Sequence, residues 1–530
     1  MSEKADASVE EVLTNGEVER KLKQRHISMI AIGGTIGTGL FLGTSQALTT
    51  AGPVGLLLGY TIMGAVVYGV QMALGEMVSY LPISGAITHF AGRFLDPAAS
   101  CSVGFNLWYS AGISLATEIT AAALIVEYWD TATNVGIYIA VFTVTICALN
   151  FLGVEWFGEA EFCFALLKVT MIVILIIAGI VLDLGGGPSH DFIGFRYWKD
   201  PGPFTQLFDI PGALGRFLAF WQVFIFAAFA YVGTETVAVA AGEAENPRKT
   251  VPKAIKRVFF RILIFYLGGV FVIGLLVPSD DPRLFKLKGS RPGSSSPFVI
   301  AMERAGIKVL PDIINAVILT SAFSAGNSSL YVGSRILYGL ALEGQAPSFF
   351  KRCTPKGLPM WSLVITASFS LLAFLRLSSS GTTLFRWLSN FSSVTGLCTW
   401  LSILLSYIRF YHGMKSQGLD RSKLPYKSPF QPYLSYFACI MIILIIIFNG
   451  FTFFIKDHWS SSGFIAAYGA LVLYLISFVY WKLTRKTKWI EYSNMDFKTG
   501  IKQIEEMNEF YIKTSFVPKT KLEKFWDWLF

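Results

Sequence analysis

Twelve long apolar runs divide this sequence, and they limit the folds open to it more than any other feature does. Each run approaches the roughly 20 residues that an α-helix needs to cross the core of a bilayer. The runs are 27–43, 54–80, 105–126, 135–152, 162–182, 217–241, 259–277, 310–340, 360–375, 384–410, 433–455 and 463–481. With 53% hydrophobic and only 15% charged residues, a chain of 530 residues has too little polar surface for a water-soluble fold. The sequence therefore predicts an all-α membrane protein with twelve transmembrane helices.

The first run, ISMIAIGGTIGTGLFLG, is interrupted near its centre by glycines at positions 33, 34, 37 and 39. Each glycine weakens a helix by about 1 kcal/mol relative to alanine, so a simple membrane anchor has no use for them. The sixth run has a related interruption, FAAFAYVGTETVAVA, which contains Gly233 and the ionisable Glu235. Main-chain groups released from a helix at membrane depth are tolerated where they line a cavity or are buried in protein. Two such interruptions in corresponding halves of a chain are typical of a secondary transporter.

The two interruptions predict a binding site for a molecule that carries both charges. A new half-helix starting at Gly37-Thr38-Gly39 would present free amide groups and the positive end of its dipole, which suit a carboxylate. Carbonyl groups released beside the breaks would accept hydrogen bonds from an ammonium group. We expect these carbonyls at four positions: Ile36, Phe229, Ala230 and Val232. A carboxylate site beside an ammonium site fits an α-amino acid.

Four charged residues lie inside the runs, where a charge is costly and usually functional: Glu76, Glu118, Lys168 and Glu235. Glu76 is close to one end of its run, so we expect its carboxylate to extend toward the membrane surface. Glu118 is predicted to face the bundle interior, where it either pairs with a cation or carries a proton.

Lys168 needs carbonyl or carboxylate oxygens around its ammonium group, as a sodium ion would. An ammonium that loses its proton when desolvated makes H+ the coupling ion. Glu235 would complete the proton path or meet a cationic substrate. The alternative for Lys168 and for Glu235 is a permanent structural pair.

The charge distribution predicts the orientation in the membrane. The net charge is +9, but the basic residues cluster at 21–25, 247–257, 351–352, 421–427 and 482–488, which the positive-inside rule assigns to the cytoplasm. This pattern argues against nucleic-acid binding. The loop 278–309, predicted outside, is also basic, and Asp281 and its acidic neighbours are expected to offset that charge. We expect cytoplasmic tails at 1–26 and 483–530, and no signal peptide, because residues 1–26 contain no apolar stretch.

The six cysteines are scattered through the apolar runs and loops and predict neither a disulfide framework nor a metal site. The sequence also lacks the motifs of hydrolases, metalloproteases and nucleotide-binding enzymes, so we expect no enzymatic activity and no cofactor.

Several long stretches resemble the fungal amino-acid permeases of the amino acid–polyamine–organocation superfamily. They are KLKQRHISMIAIGGTIGTGLFLG and the segments 229–263, 296–347 and 387–410. The segments FRYWKDPG and LVPSDDPRL are similar to the branch that carries arginine and lysine.

The resemblance implies a LeuT-like fold with discontinuous first and sixth helices. The permease domain would span 27–482, with inverted five-helix repeats at 27–182 and 217–410 and two further helices within 433–481. It implies that Thr38 and Gly39 contact the substrate carboxylate, that Phe229, Ala230 and Val232 contact its amino group, and that Phe229 is also a gate. Lys168 matches a lysine that stands where sodium-driven relatives bind sodium, and Glu118 matches a glutamate of the third helix. Ser110 and Ser392 match positions of the side-chain pocket.

These observations predict proton-coupled import of basic L-amino acids, arginine or lysine, across the plasma membrane. A neutral or broad specificity is the alternative for the substrate, and an internal membrane is the alternative for the location. An amino-acid sensor of the same fold is a further alternative, although such a role usually brings a longer cytoplasmic domain than 1–26. The sequence leaves the oligomeric state open.

Overall fold

The computed structural model describes residues 36–83, 85–152, 154–188, 190–236, 247–284, 296–354, 357–499 and 501. The predicted tail at 1–26, the part of the first run before Ile36, and the chain beyond residue 501 lie outside the described residues. Within the described part the chain is helical, and its only extended pairing is an isolated bridge between Leu184 and Phe192. The predicted all-α class is confirmed for these residues.

The long helices overlap the apolar runs, because an apolar segment with internally bonded backbone is the form that lipid accepts. The helices are α1 Gly39–Tyr80, α2 Ala86–Phe94, α3 Pro97–Val126, α4 Val135–Leu152, α5 Val154–Asp183, α6 Gly212–Tyr231, α7 Pro247–Arg261, α8 Gly268–Leu276, α9 Pro297–Arg304, α10 Leu310–Leu342, α11 Met360–Ala367, α12 Gly381–Ser416, α13 Tyr433–Phe448 and α14 Ser461–Arg485. Of these, α2, α9 and most of α7 lie between runs. A π-helical stretch, Ile262–Leu267, joins α7 to α8, and a 3-10 stretch, Ser368–Leu377, extends α11.

Ten of the described helical segments are long and apolar enough to cross a membrane, and α4 is a shorter apolar helix. Helix α1 begins with a π-helical turn, Gly39–Gly43, and bends at Gly52, where φ is 74° and the helical path is broken. The bend separates the end of the first apolar run from the second run. The chain is therefore a multi-pass membrane protein.

The outer faces of the last two helices are apolar and exposed. On α14, Ile476 is 57% exposed and Val479 is 50% exposed, and on α13 Ile440 is 59% exposed. A water-soluble protein does not leave continuous apolar faces of this kind uncovered. These faces contact lipid.

The buried centre of the bundle is built around α3. This helix packs along α10 on one side and along α12 on the other, while α1 packs along α6. The pairing of α1 with α6 brings the first and sixth apolar runs together. It is this contact that positions the candidate site.

Glu76 is fully buried, so the expectation that its carboxylate extends to the membrane surface is wrong. Arg421, from the loop after α12, binds both carboxylate oxygens, with Nε to Oε1 at 2.6 Å and Nη2 to Oε2 at 2.7 Å. The amide of Ser428 donates a third hydrogen bond to Oε2 at 2.8 Å. A bidentate guanidinium compensates a buried carboxylate well, because it supplies charge and two aligned donors.

The basic residues of the loop 278–309 are partly neutralised, as predicted. Asp281 accepts hydrogen bonds from Arg283 at 2.7 Å and from Arg304 at 2.7 Å. Burial by itself raises the pKa of the Asp281 carboxyl, but the hydrogen bonds from the two arginines outweigh burial and lower that pKa to about 2. The loop therefore holds its ion pairs throughout the physiological pH range.

The first part of the predicted tail at 483–530 packs on the bundle. The Phe497 ring is 1% exposed and lies 5.4 Å from the ring of Phe94 and 5.6 Å from that of Phe410. Tyr80 donates a hydrogen bond to the carbonyl of Phe497 at 3.1 Å. Most of residues 486–499 are exposed, and Met495 and Phe497 attach this segment to the bundle because their side chains are buried between helix ends.

We expect the substitution Arg421→Gln to destabilise the protein by about 3–5 kcal/mol, because it leaves the buried Glu76 carboxylate without its cation. Thermal unfolding of the purified protein in detergent measures the effect. Arg352→Gln, at an exposed position in a loop, is the matched control and should leave the midpoint unchanged. Equal midpoints for the two variants would contradict the structural role of the pair.

Candidate functional site

The helix of the first break begins within Gly37-Thr38-Gly39. Leu40 donates its amide to the carbonyl of Gly37 at 3.2 Å, which closes the first turn. Gly37, Thr38 and Gly39 stand at this helix start, and the first amides of a helix are the donors that it can offer to an anion.

The second break follows Tyr231, the last residue of α6. Val232 leaves the helical conformation with ψ 139°, and Gly233 has φ 91°, a value that residues with a side chain rarely adopt. Within the described part of the chain, no donor is found for the carbonyls of Phe229, Ala230 and Val232. These are three of the four carbonyls expected to be open, and the fourth, that of Ile36, accepts a hydrogen bond from Ser321.

The two breaks meet directly. A Cβ atom placed on Gly39 would lie 2.7 Å from the Cα of Ala230 and 3.2 Å from the Phe229 ring. No real Cβ makes backbone contacts this short, so only glycine permits this approach of α1 to α6. The start of α1 and the end of α6 consequently share one small region of the bundle.

Two residues of the first break are held by neighbouring helices. The Thr38 hydroxyl donates to Glu118 Oε1 on α3 at 3.0 Å, and the Ile36 carbonyl accepts from the Ser321 hydroxyl on α10 at 3.2 Å. Thr38 is fully buried, and Glu118 is 7% exposed. Within the described residues, Glu118 Oε2 has no hydrogen-bond partner. Glu118 thus faces the bundle interior, as predicted, and is linked to the first break.

Lys168 on α5 is fully buried and donates a hydrogen bond to the Ser324 hydroxyl on α10 at 3.0 Å. Ser324 in turn donates to Glu161 Oε2 at 2.7 Å. Glu161, also fully buried, interacts electrostatically with Lys168, as Glu118 does. The sequence analysis missed Glu161, although its place seven residues before Lys168 puts both on one face of a helix.

Glu235 is brought to a different set of neighbours. It is 5% exposed, and its Oε2 accepts a hydrogen bond from the indole of Trp400 on α12 at 3.0 Å. The described residues give no contact between Glu235 and the group formed by Lys168, Ser324 and Glu161. The three predicted proton-coupling residues therefore form two separate groups, with Glu118 beside Lys168 and Glu235 apart.

The predicted side-chain pocket residues lie where α3 meets α12. Ser110 shares a hydrogen bond of 2.7 Å with Thr395, and Ser114 shares one of 3.0 Å with Ser392. Ser114 and Thr395 were not singled out from the sequence. Ser114 follows Ser110 by four residues and Thr395 follows Ser392 by three, and both spacings place the two side chains on the same face of a helix. The wall that these hydroxyls form carries no charge.

A cavity lies beside Phe229, between α1, α6 and α12. Its volume of about 10 Å³ holds roughly one water molecule, so an amino acid enters only after a side chain moves. The Phe229 ring packs edge-on against Phe385 at 5.8 Å, and both rings line the cavity. Phe229 is therefore positioned to open or close this space.

Polar donors line the other side of this cavity. Arg386 is exposed there, and within the described residues its guanidinium has no hydrogen bond or ion pair. Gln46 and Asn390 also line it, and the Asn390 oxygen is already occupied by Asn449 at 2.9 Å, which leaves its amide hydrogens toward other partners. The described lining is therefore rich in donors and includes the positively charged Arg386.

These features define a class: a multi-pass membrane protein whose two interrupted helices meet at a polar site in the bundle interior. The sequence profile of the amino acid permease family matches residues 26–494. A proline-specific permease of Emericella nidulans is 42% identical over 97% of this chain and 95% of its own length. A dicarboxylic amino acid permease and a lysine-specific permease of Saccharomyces cerevisiae are each 43% identical, over 93% and 96% of this chain and 82% of their own lengths. The chain belongs to the amino acid permease family, which confirms the resemblance found in the sequence.

We expect Gly39→Val to abolish amino-acid transport, lowering uptake at least about tenfold, because its side chain would collide with the backbone of Ala230. Uptake of labelled amino acids by cells that express the variant, corrected for its amount in the membrane, measures the loss. Gly268→Ala is the control, since a Cβ at Gly268 meets its nearest atom at an ordinary 3.6 Å. Wild-type uptake by Gly39→Val would show that the close contact is not needed.

Proposed function

We propose that this permease imports amino acids together with protons. The helix start at Gly37-Thr38-Gly39 supports binding of the substrate carboxylate, with Thr38 and Gly39 in contact with it. The carbonyls of Phe229, Ala230 and Val232, for which the described residues supply no donor, support binding of the substrate ammonium group. The observation that carries the proposal is the contact of Gly39 with Ala230, since it brings the two sets within the span of one amino acid.

Proton coupling is supported by the surroundings of Lys168. A fully buried ammonium group occupies one place permanently, so it removes the need for a bound metal cation there. Its hydrogen bond to Ser324 and the nearby carboxylates of Glu118 and Glu161 provide groups that can accept a proton from it. The link from Glu118 to Thr38 would connect proton occupancy to the substrate site. The separate position of Glu235 supports a part in closing the second break rather than in this group.

The architecture that we propose has twelve helices in two inverted repeats, 27–182 and 217–410, followed by two helices within 433–481. Support comes from the matched positions of the two breaks and from the packing of α3 along α10, which would be equivalent helices of the two repeats. The positive-inside pattern supports cytoplasmic termini in the plasma membrane.

For the substrate, we propose neutral amino acids or a broad range. The hydroxyls of Ser110 and Ser392 give an uncharged pocket wall, and the free guanidinium of Arg386 repels a cationic side chain at the cavity. The relatives described above are named for proline, dicarboxylic amino acids and lysine, although they are almost equally identical to this chain.

Basic amino acids, the class predicted from the sequence, are the second candidate. The unpaired Oε2 of Glu118 favours them, because a free carboxylate oxygen beside the first break would attract a cationic side chain. The similarity to a lysine-specific permease points the same way.

Uptake of labelled L-arginine, L-lysine, L-proline and L-glutamate into proteoliposomes, with and without an inward proton gradient, tests the proposal. Accumulation that requires the gradient supports proton-coupled import. Binding without accumulation would favour the sensor instead, and accumulation of arginine and lysine alone would favour the second candidate.

We expect Lys168→Met to lose gradient-driven accumulation while it still binds substrate, because the fixed cation is gone. The ratio of uptake with a proton gradient to uptake without one should fall to about 1. Lys351→Met, at an exposed position, is the control and should keep the wild-type ratio. An unchanged ratio in Lys168→Met would remove Lys168 from the coupling mechanism.

We expect Arg386→Gln to raise the uptake of lysine relative to glutamate by about three- to tenfold, since a unit charge a few ångströms away is worth about 1 kcal/mol. Competition between the two labelled substrates measures the ratio. Lys456→Gln, an exposed change on a loop away from the cavity, is the control. The same ratio in both variants would show that Arg386 has no influence on selectivity.

A further inference from the structure

A hydrogen-bonded chain connects the buried cation of α5 to a buried carboxylate on the same helix. Lys168 Nζ donates to Ser324 Oγ at 3.0 Å, and the Ser324 hydroxyl donates to Glu161 Oε2 at 2.7 Å. All three side chains are fully buried. A hydroxyl has one hydrogen, so the donors and acceptors of this chain point in a single direction, from the lysine to the glutamate.

The other carboxylate oxygen of this chain is unusual. Among the described residues, Glu161 Oε1 has no hydrogen-bond partner although it is inaccessible to solvent. Buried polar atoms are normally hydrogen-bonded, and an exception in a native fold asks for an explanation. An oxygen left open in this way can accept a proton or a water molecule.

The location of Glu161 gives the chain a direction across the membrane. Glu161 precedes Lys168 by seven residues, about 10 Å along a helix axis. In the proposed topology α5 starts at the cytoplasmic side, so Glu161 is nearer the cytoplasm than Lys168 is.

We propose that Glu161 receives the coupled proton from Lys168 through Ser324 and holds it for release to the cytoplasm. This inference rests on the proposed proton coupling and adds the path that the proton takes. Lys168 Nζ transfers a proton to Ser324 Oγ while Ser324 transfers its hydroxyl proton to Glu161 Oε2. The ammonium becomes an amine, the carboxylate becomes a carboxylic acid, and the serine is restored.

The transfer is suited to a buried site because it converts an ion pair into two neutral groups without changing the total charge. Charged groups lose solvation when buried, so the neutral pair is accessible there in a way that it is not in water. The amine of Lys168 then accepts the next proton from the side of the substrate site, where Glu118 lies.

The charged side chains that act on Lys168 are Glu161 and Glu118. Among the described residues, the helices with the most extensive packing against α5 are α4, α8 and α10. Neither α4 nor α8 contains an acidic or basic residue, and the titratable side chains of α4 are Tyr138 and Cys147. On α10, Asp312 and Arg335 are 12 and 11 residues from Ser324, more than about 15 Å along the axis.

The test is Glu161→Gln, which keeps the shape of the side chain and removes its ability to take a proton. Proteoliposomes are assayed with whichever of L-arginine, L-lysine, L-proline and L-glutamate the unsubstituted protein accumulates. We expect gradient-driven accumulation to fall at least tenfold, while exchange of labelled for unlabelled substrate without a gradient stays within about twofold. A role of Glu161 in folding alone would lower both.

Ser324→Ala interrupts the same path without removing a charge, and it decides the matter if Glu161→Gln fails to fold. We expect the same selective loss of accumulation, with recovery in Ser324→Thr, which restores a hydroxyl. Ser334→Ala is the matched control on α10, because Ser334 is equally buried but donates to the carbonyl of Tyr331 in its own helix at 2.9 Å.

The outcomes separate this inference from the proposed function. If the unsubstituted protein shows no gradient-driven accumulation, proton coupling itself is wrong. If it does, and Glu161→Gln and Ser324→Ala both accumulate substrate as the Ser334→Ala control does, coupling stands and the path through Ser324 to Glu161 is overturned.

Discussion

The structure depends on one constraint: main-chain groups that leave a helix inside the membrane must be enclosed by protein. Both interruptions meet this constraint because they pack against each other, with Gly39 in close contact with the backbone of Ala230. The helices around them follow from this need. Helix α3 supplies Glu118 to Thr38, and α10 supplies Ser321 to the Ile36 carbonyl, so each neighbour closes part of the opening.

Glu76 and Lys168 show two different ways in which this fold compensates a buried charge. Arg421 donates two hydrogen bonds directly to the Glu76 carboxylate, and this bidentate pair fixes the positions of both side chains. The Lys168 ammonium group is connected to the Glu161 carboxylate through the hydroxyl of Ser324. A direct bidentate pair stabilises a loop against the bundle, whereas a pair joined by a hydroxyl is the arrangement that the proposed proton transfer requires.

Selectivity and chemistry occupy different parts of this protein. In the proposed function, backbone groups at the two breaks bind the carboxylate and ammonium groups that all amino acids share, while the hydroxyls between α3 and α12 and the guanidinium of Arg386 contact the side chain that differs among them. Relatives of nearly equal identity can therefore carry different substrates, since a few side chains on a common main-chain site are enough to change the preference.

The sequence by itself determined the class, the helices and the breaks, because apolar length and glycine placement act locally along the chain. It also singled out Thr38, Gly39, Phe229 and Lys168 as candidates, partly through the family resemblance. Only the tertiary structure determined which side chain each buried charged residue contacts. Glu161 joins Lys168 through Ser324, Glu235 turns to Trp400, and Glu76 is buried against Arg421, although it was expected at the surface. These contacts join residues distant in sequence, and no local pattern encodes which buried charge will meet which donor.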